Sequence, residues 1–207
     1  TGSLGDMACH TANLTFMSLK LGLRERISAE SVASNPETYP AWATITYEFP
    51  ARADLPPVKL TWYEGAKDGQ RNLPDAELLQ GHEASSSGAI LIGEKGAVFT
   101  PNDYGIEQIL LPTDEFAHYE RPDPYLERLG GAENRDENQK REWIRAIQGG
   151  PEPMSNFDYA GTMTEAMLLG NAAVRTGKTL EYDGQSGTVV NVSEAAQYID
   201  PPRRPGW

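Results

Sequence analysis

Ala43-Thr44-Ile45-Thr46-Tyr47-Glu48-Phe49, followed after a turn-rich break at residues 51–57 by Val58-Lys59-Leu60-Thr61-Trp62-Tyr63, is the stretch that decides the fold. Small or polar residues alternate with large apolar ones in the first segment, and the second repeats the pattern. Successive side chains on a strand point to opposite faces, so this period of two predicts an antiparallel pair with one buried face. Upstream, residues 26–32 give a weaker strand signal. Downstream, residues 64–88 are rich in Gly, Asp, Asn, Pro and Ser and read as an extended loop. A short hairpin then follows, Ala89-Ile90-Leu91-Ile92 and Ala97-Val98-Phe99 around Gly93-Glu94-Lys95-Gly96.

Helical signals flank this sheet. Residues 6–21 predict an opening helix in which Asp6 is the N-cap, Met7, Leu14, Met17 and Leu21 share a face, and Gly22 ends the helix in a left-handed conformation. Residues 112–137 are polar and loop-like. A helix over 138–147 carries Trp143, Ile144 and Ile147 and stops at Gly149-Gly150-Pro151. A longer one runs from about Asp158 to Arg175, with Ala160, Met163, Met167 and Val174 on one stripe and Gly177 as terminator. Two short strands, 179–182 and 188–191, and a Pro/Arg tail closing on Trp207 complete the chain. No internal repeat occurs. The order of elements predicts one α+β domain over residues 1–207, with helices packed on one face of a mostly antiparallel open sheet.

Composition narrows the function classes. The net charge of −12 argues against nucleic acid as the main partner, because a phosphate backbone rewards clustered Lys and Arg. No apolar run approaches the roughly 18 residues that a membrane span needs. The first residues carry no basic stretch followed by an apolar one, and the chain opens on Thr1, which suggests a processing site or an internal boundary. Cys9 is the single cysteine, so no internal disulfide exists, in keeping with a reducing compartment. The sequons at Asn13 and Asn191 are short patterns of the kind that arise by chance.

The strongest chemical signal is Gly5-Asp6-Met7-Ala8-Cys9-His10. On a helix Asp6 and His10 share a face, and a carboxylate beside an imidazole is a general-base arrangement. The same pair at a helix start also reads as a cap and a surface contact. Cys9 and His10 do not make a dyad, since adjacent helical residues point about 100° apart. A metal would lack a third ligand at a familiar spacing, and His82 and His118 read as surface residues. A second signal is Ser155-Asn156-Phe157-Asp158-Tyr159, where Asn156, Asp158 and Tyr159 either contact sugar hydroxyls or cap and anchor the helix that begins there. Gly93 and Gly96 fit neither the Walker nor the dinucleotide spacing, and no G-x-G-x-x-G follows a strand.

Several segments, taken in order, resemble the glucose–fructose oxidoreductase / inositol dehydrogenase / MocA (Gfo/Idh/MocA) family, specifically its bacterial-type C-terminal domain. They are Gly2 through Thr11, Tyr39-Pro40-Ala41-Trp42 through Pro50, Pro57 through Tyr63, Arg141-Glu142-Trp143-Ile144, Ser155 through Tyr159, Leu168-Leu169-Gly170-Asn171, Arg175-Thr176-Gly177-Lys178, the stretch from Asn191-Val192 to Tyr198, and Gly206-Trp207. The resemblance implies a dihydrodipicolinate-reductase-like C-terminal domain and an N-terminal Rossmann domain, absent from this chain, that binds NAD or NADP. It implies that the family's Asp/His pair is Asp6 and His10, with His10 taking a substrate hydroxyl proton and Asp6 orienting that hydroxyl. It also implies a sugar or polyol substrate and a homo-oligomer formed through the open sheet face. Ala8 stands where the family often has glycine, and Asn13 where an acidic residue often follows the histidine. Glu94-Lys95 is followed by glycine and is not the family's Glu-Lys-Pro motif.

Three functions are therefore expected to compete: the substrate-side half of an NAD(P)-dependent dehydrogenase, a stand-alone carbohydrate-binding or assembly module, and an NAD-dependent glycoside hydrolase or lyase on the same scaffold. The resemblance fits bacterial cytoplasm and periplasm alike.

Overall fold

The computed structural model describes residues 1–23, 26–33, 35–126, 129, 130, 134–204 and 206; the closing Trp207 lies outside the described residues. The element order is α1 (Gly2–Thr11), α2 (Asn13–Ser18), β1 (Arg26–Ser31), β2 (Trp42–Phe49), β3 (Val58–Lys67), β4 (Gln70–Arg71), a 3-10 turn (Ala76–Leu79), β5 (Ala89–Gly93), β6 (Gly96–Thr100), β7 (Ile109–Leu111), α3 (Arg135–Ile147), α4 (Phe157–Thr176), β8 (Leu180–Asp183), β9 (Thr188–Val189), a second 3-10 turn (Ser193–Ala195) and α5 (Ala196–Ile199). The main sheet has six strands in the order β4-β3-β2-β1-β8-β9, every neighbouring pair antiparallel, and β5-β6-β7 form a second, three-stranded antiparallel sheet. The fold is α+β with a mostly antiparallel open sheet, as the alternation at 43–63 predicts.

The alternation explains the core. Ala43, Ile45, Tyr47 and Phe49 of β2 are buried, and the register sets Ile27 and Leu60 on either side of Tyr47 and Trp62 beside Ile45. Against this face pack α1 and α4, through Leu4, Ala8, Met163, Ala166, Met167 and Ala173. Burying each large apolar side chain contributes roughly 1.5–3 kcal/mol, so this one interface dominates stability. The opposite face is mainly polar, with Trp42 and Tyr63 as aromatic exceptions. Its rows across the strands read Glu181, Arg26, Glu48, Lys59 and then Ser28, Thr46, Thr61. A smaller core of Leu79, Ala97, Phe99 and Leu111 lies under the second sheet.

Several expectations need correction. The opening helix starts at Gly2, so Asp6 is not its N-cap but sits inside α1, and its buried stripe is Leu4, Ala8, Ala12 and Phe16, not Met7, Leu14 and Met17. Helical spacing admits either stripe, and packing against α4 selects the first. The left-handed residue that ends α2 is Lys20 (φ 48°), not Gly22, and the Leu21 N–H then closes back on the Phe16 carbonyl at 3.0 Å. Residues 64–88 are not all loop. β3 runs on to Lys67 and turns back through Asp68 and Gly69, both at positive φ (52° and 77°), the geometry of a type I′ hairpin. His82 is half-buried, its ring 6.0 Å from that of Phe99, whereas His118 is exposed as expected.

Helix α3 is inverted relative to an ordinary amphipathic helix. Its inward side carries Asn138, Glu142, Arg145 and Ala146, whereas Trp143, Ile144 and Ile147 are exposed. Trp143 meets the exposed Phe157 ring edge to face at 6.2 Å. Among the described residues no helix is long and apolar enough to cross a membrane.

Candidate functional site

Helix α1 turns Leu4 and Ala8 into the core, and this fixes what it shows to solvent. Asp6 and His10, one turn apart, both fall on the exposed side. Among the described residues no hydrogen bond or ion pair joins Asp6 to His10, and the nearest local bond runs from the Cys9 Sγ to the Asp6 carbonyl at 3.7 Å. The imidazole stands in the last turn of α1. Its neighbour is Tyr104, whose ring centre lies 5.4 Å away at an interplanar angle of 77°.

Tyr104 reaches His10 from the segment that follows β6. Within that segment the Asn102 Oδ1 accepts hydrogen bonds from the N–H groups of Tyr104 and Ile106, each at 3.1 Å. The segment is joined to α1 by the buried Thr11, whose hydroxyl donates to the Asp103 Oδ1 at 3.1 Å and meets the Ser87 hydroxyl at 3.2 Å. Gly105, at φ 62°, passes so close to Leu14 that a Cβ there would meet the leucine side chain at 3.2 Å. Sequence reasoning missed this group entirely. Thr11 is 76 residues from Ser87 and 92 from Asp103, so no local periodicity marks the contacts.

The start of α4 lies against the same pair of helices. The Asn156 Oδ1 accepts from the Tyr159 N–H at 3.0 Å as the N-cap, and its amide donates to the Pro153 carbonyl at 3.2 Å. Of the two expected roles for Asn156, capping is the one that its contacts fill. The Tyr159 hydroxyl donates to the Asn13 Oδ1 at 2.6 Å, which ties the start of α4 to the start of α2. Burial holds the Tyr159 phenol above its usual value of 10.0, so it serves as a neutral donor. Asp158 is exposed in the first turn of α4, where its charge suits the helix dipole. Asn13 follows His10 by three residues, and Ala12 between them keeps the helical conformation, so both groups bear on one continuous stretch of helix.

Among the described residues no cluster of three His, Cys, Asp or Glu side chains is placed to hold a metal. Among the described residues both sheets are antiparallel, and the sequence carries no G-x-G-x-x-G between a strand and a helix. A wide, open cleft of about 780 Å³ between residues 53–56 and 92–94 is lined by none of the candidate residues. Its openness to solvent makes it a poor rival to the α1 surface. No protein-family model matches the chain, and no significant match to it is found among curated proteins.

Proposed function

We propose that this chain is the substrate-side part of an NAD(P)-dependent oxidoreductase acting on a sugar, a polyol or a derivative, with Asp6 and His10 as its acid–base pair. The observation that carries the reading is the exposed position of both side chains on one side of α1, with the His10 imidazole beside Tyr104. An imidazole that faces solvent is suited to accept a hydroxyl proton from a bound alcohol. Asp6, one turn before it, is placed to orient the same hydroxyl or to stabilise the imidazolium. A nicotinamide, when bound, would accept the hydride that leaves the carbon. The described residues do not fit the rest of that cofactor, so in this reading it is held by a dinucleotide-binding domain outside these 207 residues. Asn156, Asp158 and Tyr159 are the candidates for contact with substrate hydroxyls; Asn156 and Tyr159 also hold protein partners, whereas Asp158 is exposed.

The reading includes a homo-oligomer through the open sheet face. The row Glu181, Arg26, Glu48, Lys59 alternates in sign across four strands. A two-fold axis lying in the interface, parallel to the strands and passing between β1 and β2, would set Glu181 opposite Lys59 and Arg26 opposite Glu48 of a second copy. Every facing pair is then of opposite charge, which is the self-complementarity a two-fold interface requires.

A second reading, a module for carbohydrate binding or assembly without redox chemistry, is favoured by the outward apolar side of α3, where Trp143, Ile144 and Ile147 are exposed with Phe157 of α4 against Trp143. Titration of NADH and NADPH, followed by nicotinamide fluorescence, separates the two. The oxidoreductase reading expects no binding to the 207 residues alone and tight binding when they are joined to their dinucleotide-binding domain. Tight binding to the 207 residues alone would overturn the placement of the cofactor, and no binding to either form would favour the module.

A further inference from the structure

We infer that Tyr104 is a positioning residue for His10, held over α1 by a clamp so that its ring fixes the orientation of the imidazole. The inference rests on the acid–base reading of His10 and names the group that aims it. Two adjacent residues of α1 meet two adjacent residues of one loop: His10 faces Tyr104 ring to ring at 5.4 Å and 77°, and Thr11 donates to Asp103 at 3.1 Å.

The aromatic contact is the preferred edge-to-face arrangement, in which the positive edge of one ring meets the negative face of the other. The clamp makes it persistent. Thr11 is buried, so its part-buried hydrogen bond to Asp103 is partly sheltered from competing water, and Ser87 extends the chain of hydroxyls on the other side. Tyr104 itself is 68% exposed, so its ring adds little to the core. A large aromatic left in solvent, on a loop held by a part-buried polar contact, has the imidazole as its distinctive partner. Proton transfer depends first on geometry, and an imidazole at an open surface would otherwise sample several rotamers.

The experiment is NMR of the imidazole groups in wild-type chain, Tyr104→Ala and Tyr104→Phe, each titrated with pH. The chain has three histidines, so assignment is direct and His82 and His118 serve as internal references. The expected result is that Tyr104→Ala displaces the His10 ring resonances and shifts its titration midpoint, while the references and Tm stay unchanged and Tyr104→Phe restores the wild-type signals. In the active protein Tyr104→Ala is expected to lower kcat roughly tenfold with KM little changed. Identical His10 resonances and titration in wild type and Tyr104→Ala would overturn the inference even if His10→Ala abolishes turnover. A Tyr104-dependent His10 signal in a protein that oxidises no sugar or polyol would sink the activity reading alone.

Discussion

The Tyr47 hydroxyl donates a 2.7 Å hydrogen bond to the carbonyl of Met167, tying the central strand β2 to the middle of α4 inside the buried core. The bond is possible because Gly170 leaves room beside it. A Cβ at Gly170 would overlap the tyrosine hydroxyl and press on the side chains of Leu4 and Ile45, at 2.9 and 3.1 Å. Gly170→Ala is therefore expected to destabilise the fold by about 1–3 kcal/mol despite the better helix propensity of alanine. Tyr47→Phe should cost about 1 kcal/mol on its own and relieve part of the clash, so the double variant should lose less than the sum. Urea unfolding of the four proteins measures this, and strict additivity would contradict the shared contact.

Asn156 caps α4 through the Tyr159 N–H. Asn156→Ala is expected to lower stability by about 1 kcal/mol, with Asn156→Asp retaining most of it. A variant with unchanged unfolding midpoint but weakened sugar binding would instead give Asn156 the ligand-contact role.

Burial raises the pKa of Tyr159 above 10.0. The folded protein thus holds this proton more tightly than the unfolded chain does. The resulting stabilisation is fully present below pH 10 and is lost as pH rises through the folded-state value. Tyr159→Phe should remove that part of the alkaline loss of stability, at a cost of about 0.5–1.5 kcal/mol near neutrality for the hydrogen bond to Asn13. Thermal unfolding from pH 8 to 11 shows whether the two curves converge as expected.

If two copies associate through the open sheet face, the central pair Arg26 and Glu48 governs the contact. Glu48→Lys should weaken association by about tenfold or more, and the swap Arg26→Glu with Glu48→Arg should restore it, because the facing charges are again opposite. Sedimentation equilibrium at low and high salt reads both. A wild-type protein that stays monomeric at every concentration would remove this interface.

The main sheet was legible because β2 obeys a strict period of two and β3 begins with the same alternation, and α4 because its cap, stripe and Gly177 terminator agree. The opening helix was harder. Its residues allow two apolar stripes, and only contact with α4 decides that Leu4 and Ala8 face inward. That same choice turns Asp6 and His10 outward, so the candidate pair was readable as a pair but not as an exposed one. The Asp68-Gly69 turn was a local signal that composition masked, since the surrounding loop residues outweigh a two-residue motif. Tyr104 and its clamp could not be read at all, because Thr11 meets Asp103 across 92 residues. Contacts of that kind arise from tertiary packing, which a single sequence does not display.

The most direct test of the central claim is nicotinamide reduction by the protein carrying this chain, with a panel of sugars and polyols, in wild type and His10→Ala. His10 is exposed, so the substitution should leave far-UV circular dichroism and Tm unchanged. The account predicts a turnover loss of about 10²–10⁴-fold, the range for removal of a general base. Unchanged turnover in a folded His10→Ala protein, or no nicotinamide reduction with any sugar or polyol in the wild type, would contradict it.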